Sequence, residues 1–208
     1  MNRSLVWWKT ATHLLALVPL AWLVADLYHD RLGADPVATL THATGLWALR
    51  FLLLALAVTP LRRITGWTVL ARYRRMIGLY AFFYASLHLT IYLVLDLGGY
   101  WAQILDDVVK RPYITVGFIA WCGLLALTLT STRGMMRRLG RRWAQLHKIV
   151  YAIGVLAVLH FVWLVKSDVR EPAVYGAILA MLLLLRVPAI AKRIERRRRA
   201  PAAASGKV

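Results

Sequence analysis

Phe51-Leu52-Leu53-Leu54-Ala55-Leu56-Ala57-Val58 carries no polar residue at any position. A strand of a membrane barrel alternates lipid-facing apolar with lumen-facing polar residues, and this octet does not alternate. It sits inside an apolar run over roughly 42–60, and about 20 such residues span the hydrocarbon core as a helix. Five further runs approach that length, at roughly 10–27, 76–95, 112–130, 145–165 and 172–188. A chain of 208 residues that is 60% hydrophobic, with a mean hydropathy of +0.59, has no room for a soluble domain between them. The expected fold is an all-α membrane protein, a bundle of six transmembrane helices.

The net charge of +18 raises the question of nucleic acid, whose binders carry basic patches. The distribution answers it. Connections on one side hold 19 Lys and Arg, among them Arg62, Arg63, Arg72, Arg74, Arg75 and the Arg196–Arg199 run, against 5 on the other side. Glu195 is the only acidic residue on the basic side. This is the positive-inside pattern, and it places both termini in the cytoplasm of a plasma (inner) membrane protein. The charge orients the chain and binds anionic lipid; no nucleic-acid role is expected. No convincing small-residue cleavage site follows the first apolar run, so an uncleaved first helix is expected. The single cysteine, Cys122, excludes an intrachain disulfide or a thiolate metal cluster.

The outer connections, about 28–41 and 96–111, carry turn signals at Gly33, Pro36, Gly98 and Gly99. Trp101-Ala102-Gln103-Ile104-Leu105 reads as a short interfacial helix, and the inner connections 61–75 and 131–144 as basic segments on lipid headgroups. No internal repeat of 20–50 residues is evident. No dinucleotide fingerprint, P-loop or H-E-x-x-H occurs, so reducing equivalents would have to come from another protein or a diffusible carrier.

Three of the six histidines fall within the spans: His88 in the third, His147 and His160 in the fifth. Ionisable groups there are costly and face a cavity or a partner. His13, His29 and His42 lie near span ends and read as interfacial polar residues. Counted from Arg75 and Arg142, His88 and His160 lie roughly 20 and 27 Å from the basic side at about 1.5 Å per residue. Two histidines at similar depth on different helices can clamp one haem iron. His147 lies near the basic side, about 20 Å along the axis from His160, but about 140° away on an ideal helix. Gly154 between them offers a place for a bend. Arg50 lies inside the second span with no acidic residue nearby in sequence, and a haem propionate would suit it as well as a snorkelling or interhelical contact. Trp121 and Trp163 fit an electron path or simple packing equally well.

His147-Lys-Ile-Val-Tyr…His160 with His88 resembles the ferric-reductase-like transmembrane superfamily. Arg72-Tyr-Arg-Arg-Met-Ile-Gly-Leu79 and Trp143-Ala-Gln-Leu-His-Lys-Ile-Val-Tyr151 are similar to the MsrQ (YedZ) family within it. The resemblance implies a ferric-reductase-like haem domain over 1–190 and a basic, disordered cytoplasmic tail over 191–208. It implies a b-haem subunit that carries electrons from a cytoplasmic flavin reductase or FMN, or from the quinone pool, to a periplasmic molybdopterin methionine sulfoxide reductase (MsrP-like), in repair of oxidised proteins. His88, His160 and His147 would be haem-iron ligands, and Arg50, Arg74 and Arg75 would bind propionate or flavin phosphate. One departure weakens a second haem: larger members place another histidine on helix three, where this chain has Arg75. FMN binding, a stand-alone quinol-oxidising cytochrome b, a ferric reductase, and a haem-free transporter or scaffold using the histidines as a proton relay stay open.

Overall fold

The computed structural model describes residues 3–165 and 168–204; no strand occurs among them. Five helical stretches are long and apolar enough to cross a membrane. They are Trp7–Tyr28 in α1 (Arg3–Tyr28), α2 (Pro36–Thr65), Arg74–Asp96, α5 (Pro112–Leu129) and Arg141–Leu164. Arg74–Asp96 is α3 (Arg74–Ile91) running into a π-helical turn, Tyr92–Asp96. The sixth span passes only as a bent pair, α9 (Arg170–Leu184) and α10 (Pro188–Ala204), which meet at 71°. Pro188 at the start of α10 has no N–H for a continuing helix and disfavours a helical Val187, which explains the break.

The connections on either side of α2 are shorter than expected. Pro36 is the first residue of α2 rather than part of a turn, and the Asp35 side chain accepts the Ala38 N–H at 2.9 Å. Gly66, at φ +81°, closes the other end of α2 by donating to Arg62 O at 2.9 Å. The interfacial helix is longer than 101–105: α4 covers Trp101–Lys110. Buried Asp107 pins it, accepting from Tyr92 Oη at 2.8 Å and pairing with Arg111 Nε at 3.2 Å. The inner connection 131–144 contains α6 (Arg133–Leu139) and the start of α7 (Arg141–Leu146).

Two expectations need correction. The tail from 191 is helical through Ala204, not disordered. Ala191 is buried, and Glu195 pairs with Arg63 near the end of α2 at 3.4 Å; charge composition alone does not register such a docking. Lys166, Ser167 and 205–208, and with them two of the counted lysines, lie outside the described residues. The fifth span is irregular at His147–Ile149, a 3₁₀ turn between α7 and α8 (Val150–Leu164), and not at Gly154. Gly154 instead gives room to Leu179 and Leu56. Three residues at about 120° each reduce the His147–His160 angular offset to about 80°.

Two helix pairs dominate the packing, α2 with α3 and α5 with α8. In the first, Tyr84 is fully buried, stacks on Phe51 at 5.3 Å and 15°, and donates its hydroxyl to Ala16 O at 2.8 Å. In the second, a Cβ on Gly123 would stand 2.8 Å from Ile153 Cδ1, so the helices approach at small-residue distance. α2 joins the halves, since Leu49, Leu53 and Leu56 pack with Phe161 of α8 and Leu179 and Leu182 of α9. Leu14, Trp22, Leu54 and Leu129 are exposed, as expected of side chains that face lipid instead of water.

Candidate functional site

His88 of α3 and His160 of α8 meet between the two helix pairs, ring centroids 6.2 Å apart and planes at 81°. Each ring is tied to the helix partnered with its own. His88 Nδ1 lies 2.8 Å from Thr41 O on α2, and His160 Nδ1 lies 2.7 Å from Tyr113 O on α5. A carbonyl only accepts, so both Nδ1 atoms carry the proton. That tautomer leaves each Nε2 with a free lone pair, the arrangement in which histidine ligates a metal while a backbone carbonyl orients the ring.

Helix geometry makes these bonds difficult. Cβ bonds tilt toward the N-terminus, so the side chain at i+4 covers the carbonyl of residue i. The residues four beyond Thr41 and Tyr113 are Gly45 and Gly117. A Cβ on Gly45 would stand 3.0 Å from His88 Nδ1, and one on Gly117 only 2.7 Å from His160 Nδ1. Carbonyl, glycine and histidine occupy 41, 45 and 88 in one half and 113, 117 and 160 in the other, a constant offset of 72. The supporting device therefore occurs twice.

Two metal–nitrogen bonds of about 2.0–2.1 Å, plus about 1.1 Å from each ring nitrogen to its ring centre, sum to about 6.3 Å. The observed 6.2 Å suits one metal held by both rings. No group of three or more His, Cys, Asp or Glu forms a metal site among the described residues. A metal held by these two imidazoles would need its remaining coordination positions filled by another group, which a haem macrocycle would supply.

The other sequence candidates are not brought to this pair. Arg50 of α2 donates from Nε to Tyr175 Oη at 2.8 Å and lies 4.8 Å over the Trp47 ring. It lines an open cavity of about 430 Å³ with His42, Leu46 and Trp47. His147 stacks on Trp143 at 3.9 Å, its Nδ1 lies 3.1 Å from Trp143 O and its Nε2 lies 3.5 Å from Ser131 Oγ. No second histidine faces it among the described contacts. Arg74 and Arg75 are exposed in the first turn of α3, with no ion pair among the described residues. His13 bonds Tyr80 Oη at 2.8 Å, and His42 lies 3.8 Å from Glu171. Trp121 joins α5 to α3 by donating to Ser86 Oγ at 3.0 Å, whereas Trp163 is exposed.

Three residues escaped the sequence reading. Gly45 and Gly117 are two. Arg186, at the α9–α10 break, is the third: its Nη1 donates to Tyr151 Oη at 2.9 Å and its Nη2 to Leu56 O. A charge ending the run Met181-Leu-Leu-Leu-Leu185 was the available signal for it.

Fold and site together define a multi-pass helical membrane protein with two histidines facing each other between its helix pairs. The family described as "Ferric reductase like transmembrane component" matches residues 44–158, which include His88 and His147 and stop two residues before His160. The protein-methionine-sulfoxide reductase heme-binding subunit MsrQ of Xanthomonas campestris pv. campestris (strain 8004) is 62% identical over 86% of this chain and 85% of its own length. MsrQ of Xanthomonas oryzae pv. oryzae (strain MAFF 311018) is 57% identical over 96% and 95%. That of Rhodospirillum rubrum is 48% identical over 89% and 90%. The chain belongs to the MsrQ family.

Proposed function

We propose that this protein is the haem-bearing membrane subunit of a methionine sulfoxide reductase system in the bacterial inner membrane. It receives electrons on the cytoplasmic side, from a flavin reductase or FMN or from quinol, and delivers them to a periplasmic molybdopterin reductase of the MsrP kind. The observation that carries this reading is the His88–His160 pair, spaced for one iron with both Nε2 atoms free. The names of its relatives as haem-binding subunits of such a system support it.

Bound haem b would supply a one-electron couple at this position. The chain's own part is to ligate through His88 and His160, to fix both tautomers through the Thr41 and Tyr113 carbonyls, and to exclude water. Arg50 offers the guanidinium atoms not used by Tyr175 to a propionate. Arg74 and Arg75 remain candidates for an anionic group, flavin phosphate or propionate, at the inner face. His147, with no facing histidine, serves a second haem only with a ligand other than histidine, and we assign one haem to the chain.

Purified protein is expected to show a Soret band and the narrow visible bands of six-coordinate low-spin haem on reduction, at one haem per chain by pyridine haemochrome. Absence of haem after expression with adequate supply would sink the proposal. His147→Ala is expected to leave that content and spectrum unchanged; loss of half the haem would establish a second site. For the orientation implied by the 19-to-5 basic asymmetry, a C-terminal green fluorescent protein fusion should fluoresce and an alkaline phosphatase fusion should be inactive. The reverse pattern overturns cytoplasmic termini.

A further inference from the structure

We propose that Gly45 and Gly117 are positioning residues of the redox site: by uncovering the Thr41 and Tyr113 carbonyls they hold the two ligand rings crossed at 81° and so set the electronic structure of the iron. The inference rests on the haem reading above.

A ring approaches a carbonyl inside a helix most closely where the side chain four residues on is missing. Glycine in a helix interior is less favourable than alanine, and both sites fall inside helices. Each histidine is then fixed in rotation by one hydrogen bond and one helix surface. The two surfaces belong to different helices, α2 and α5, and the ring planes they hold stand nearly perpendicular, at 81°. Perpendicular imidazoles act on two different iron d orbitals and leave these nearly equal in energy; parallel imidazoles act on one and split them. Ferric low-spin haem with crossed ligands therefore gives a single strongly anisotropic, large-g electron paramagnetic resonance feature, and parallel ligands give a rhombic spectrum at lower g.

The two glycines differ in clearance. At Gly117 an added Cβ would meet Nδ1 at 2.7 Å and Cε1 at 2.8 Å, so the ring must move. At Gly45 the corresponding distances are 3.0 and 3.1 Å, and a shift of a few tenths of an ångström suffices. Gly78 provides a control on α3, the helix of His88, because an added Cβ there would meet nothing within 4 Å.

The test is electron paramagnetic resonance and redox titration of purified ferric wild type, Gly117→Ala, Gly45→Ala and Gly78→Ala in detergent, with haem content measured alongside. Expected are a large-g wild-type signal, a marked move toward the rhombic form with an altered midpoint potential in Gly117→Ala, a smaller move in Gly45→Ala, and no change in Gly78→Ala. Haem loss from Gly117→Ala with helix content retained also supports the proposal, provided Gly78→Ala keeps its haem. A rhombic wild-type signal, unchanged signals in both Gly117→Ala and Gly45→Ala, or equal changes in Gly78→Ala would each overturn it. If Gly117→Ala does not fold, the Gly45→Ala spectrum decides. A wild type without haem would instead defeat the functional reading, so the two failures are distinguishable.

Discussion

Alanine at position 160 is expected to remove the low-spin haem signal and reduce bound haem to a small fraction of the wild-type content. His160 has one role visible in its contacts: Nδ1 is engaged by Tyr113 O at 2.7 Å and the ring faces His88. Removing it takes away one of two ligands and opens a hollow between α5 and α8. Loss of a residue that merely orients a ligand costs about 10–100-fold in metal affinity, and loss of the ligand itself should exceed that. His88→Ala should behave alike, because Thr41 O and Gly45 repeat the arrangement on α2. The measurement is the reduced-minus-oxidised visible spectrum normalised to protein. Retention of a six-coordinate low-spin spectrum in both variants would refute the ligand pair.

The second large effect concerns stability. Tyr84→Ala should destabilise the folded protein by about 3 kcal/mol, the low end of the range for truncating a buried aromatic. The low end applies because lipid is as apolar as the core, leaving lost packing and hydrogen bonding as the main penalty. Tyr84 is fully buried, stacks on Phe51 and holds α1 through the Ala16 carbonyl at 2.8 Å. That contact matters because α1 is mostly exposed and has few other attachments. Tyr84→Phe keeps the ring and should cost about 1 kcal/mol, the net value of one hydrogen bond. Unfolding in detergent followed by circular dichroism reads both. A Tyr84→Ala variant within about 0.5 kcal/mol of wild type would show that α1 is held elsewhere.

Much of the site was visible in one dimension. Comparing the depths of His88 and His160 was enough to pair them, because helical rise converts sequence position into depth. The same count could not resolve His147, since its phase depends on whether the intervening helix is regular. The 3₁₀ turn at His147–Ile149 changes that phase. Within a single span nothing marks Gly45 or Gly117 apart from other small residues of apolar helices. The signal that exposes them is the 72-residue offset shared by both carbonyl–glycine–histidine sets, longer than the 20–50-residue periods of repeat architectures. In the sequence Arg50 fits a propionate or an interhelical contact equally well, and the structure gives it Tyr175 and Trp47 as neighbours.

By itself, then, the sequence determined that the chain is a helical membrane bundle, where its spans lie and that His88 and His160 share a level. Hydrophobic length and depth add up residue by residue and need no knowledge of neighbours. Only the tertiary structure decided how the fifth span is phased, that the tail packs as helix against α2, and how the ligand rings are held. Each of these depends on which surface of one helix meets which surface of another, and in lipid close backbone approach and interhelical hydrogen bonds settle that choice where hydrophobicity is indifferent.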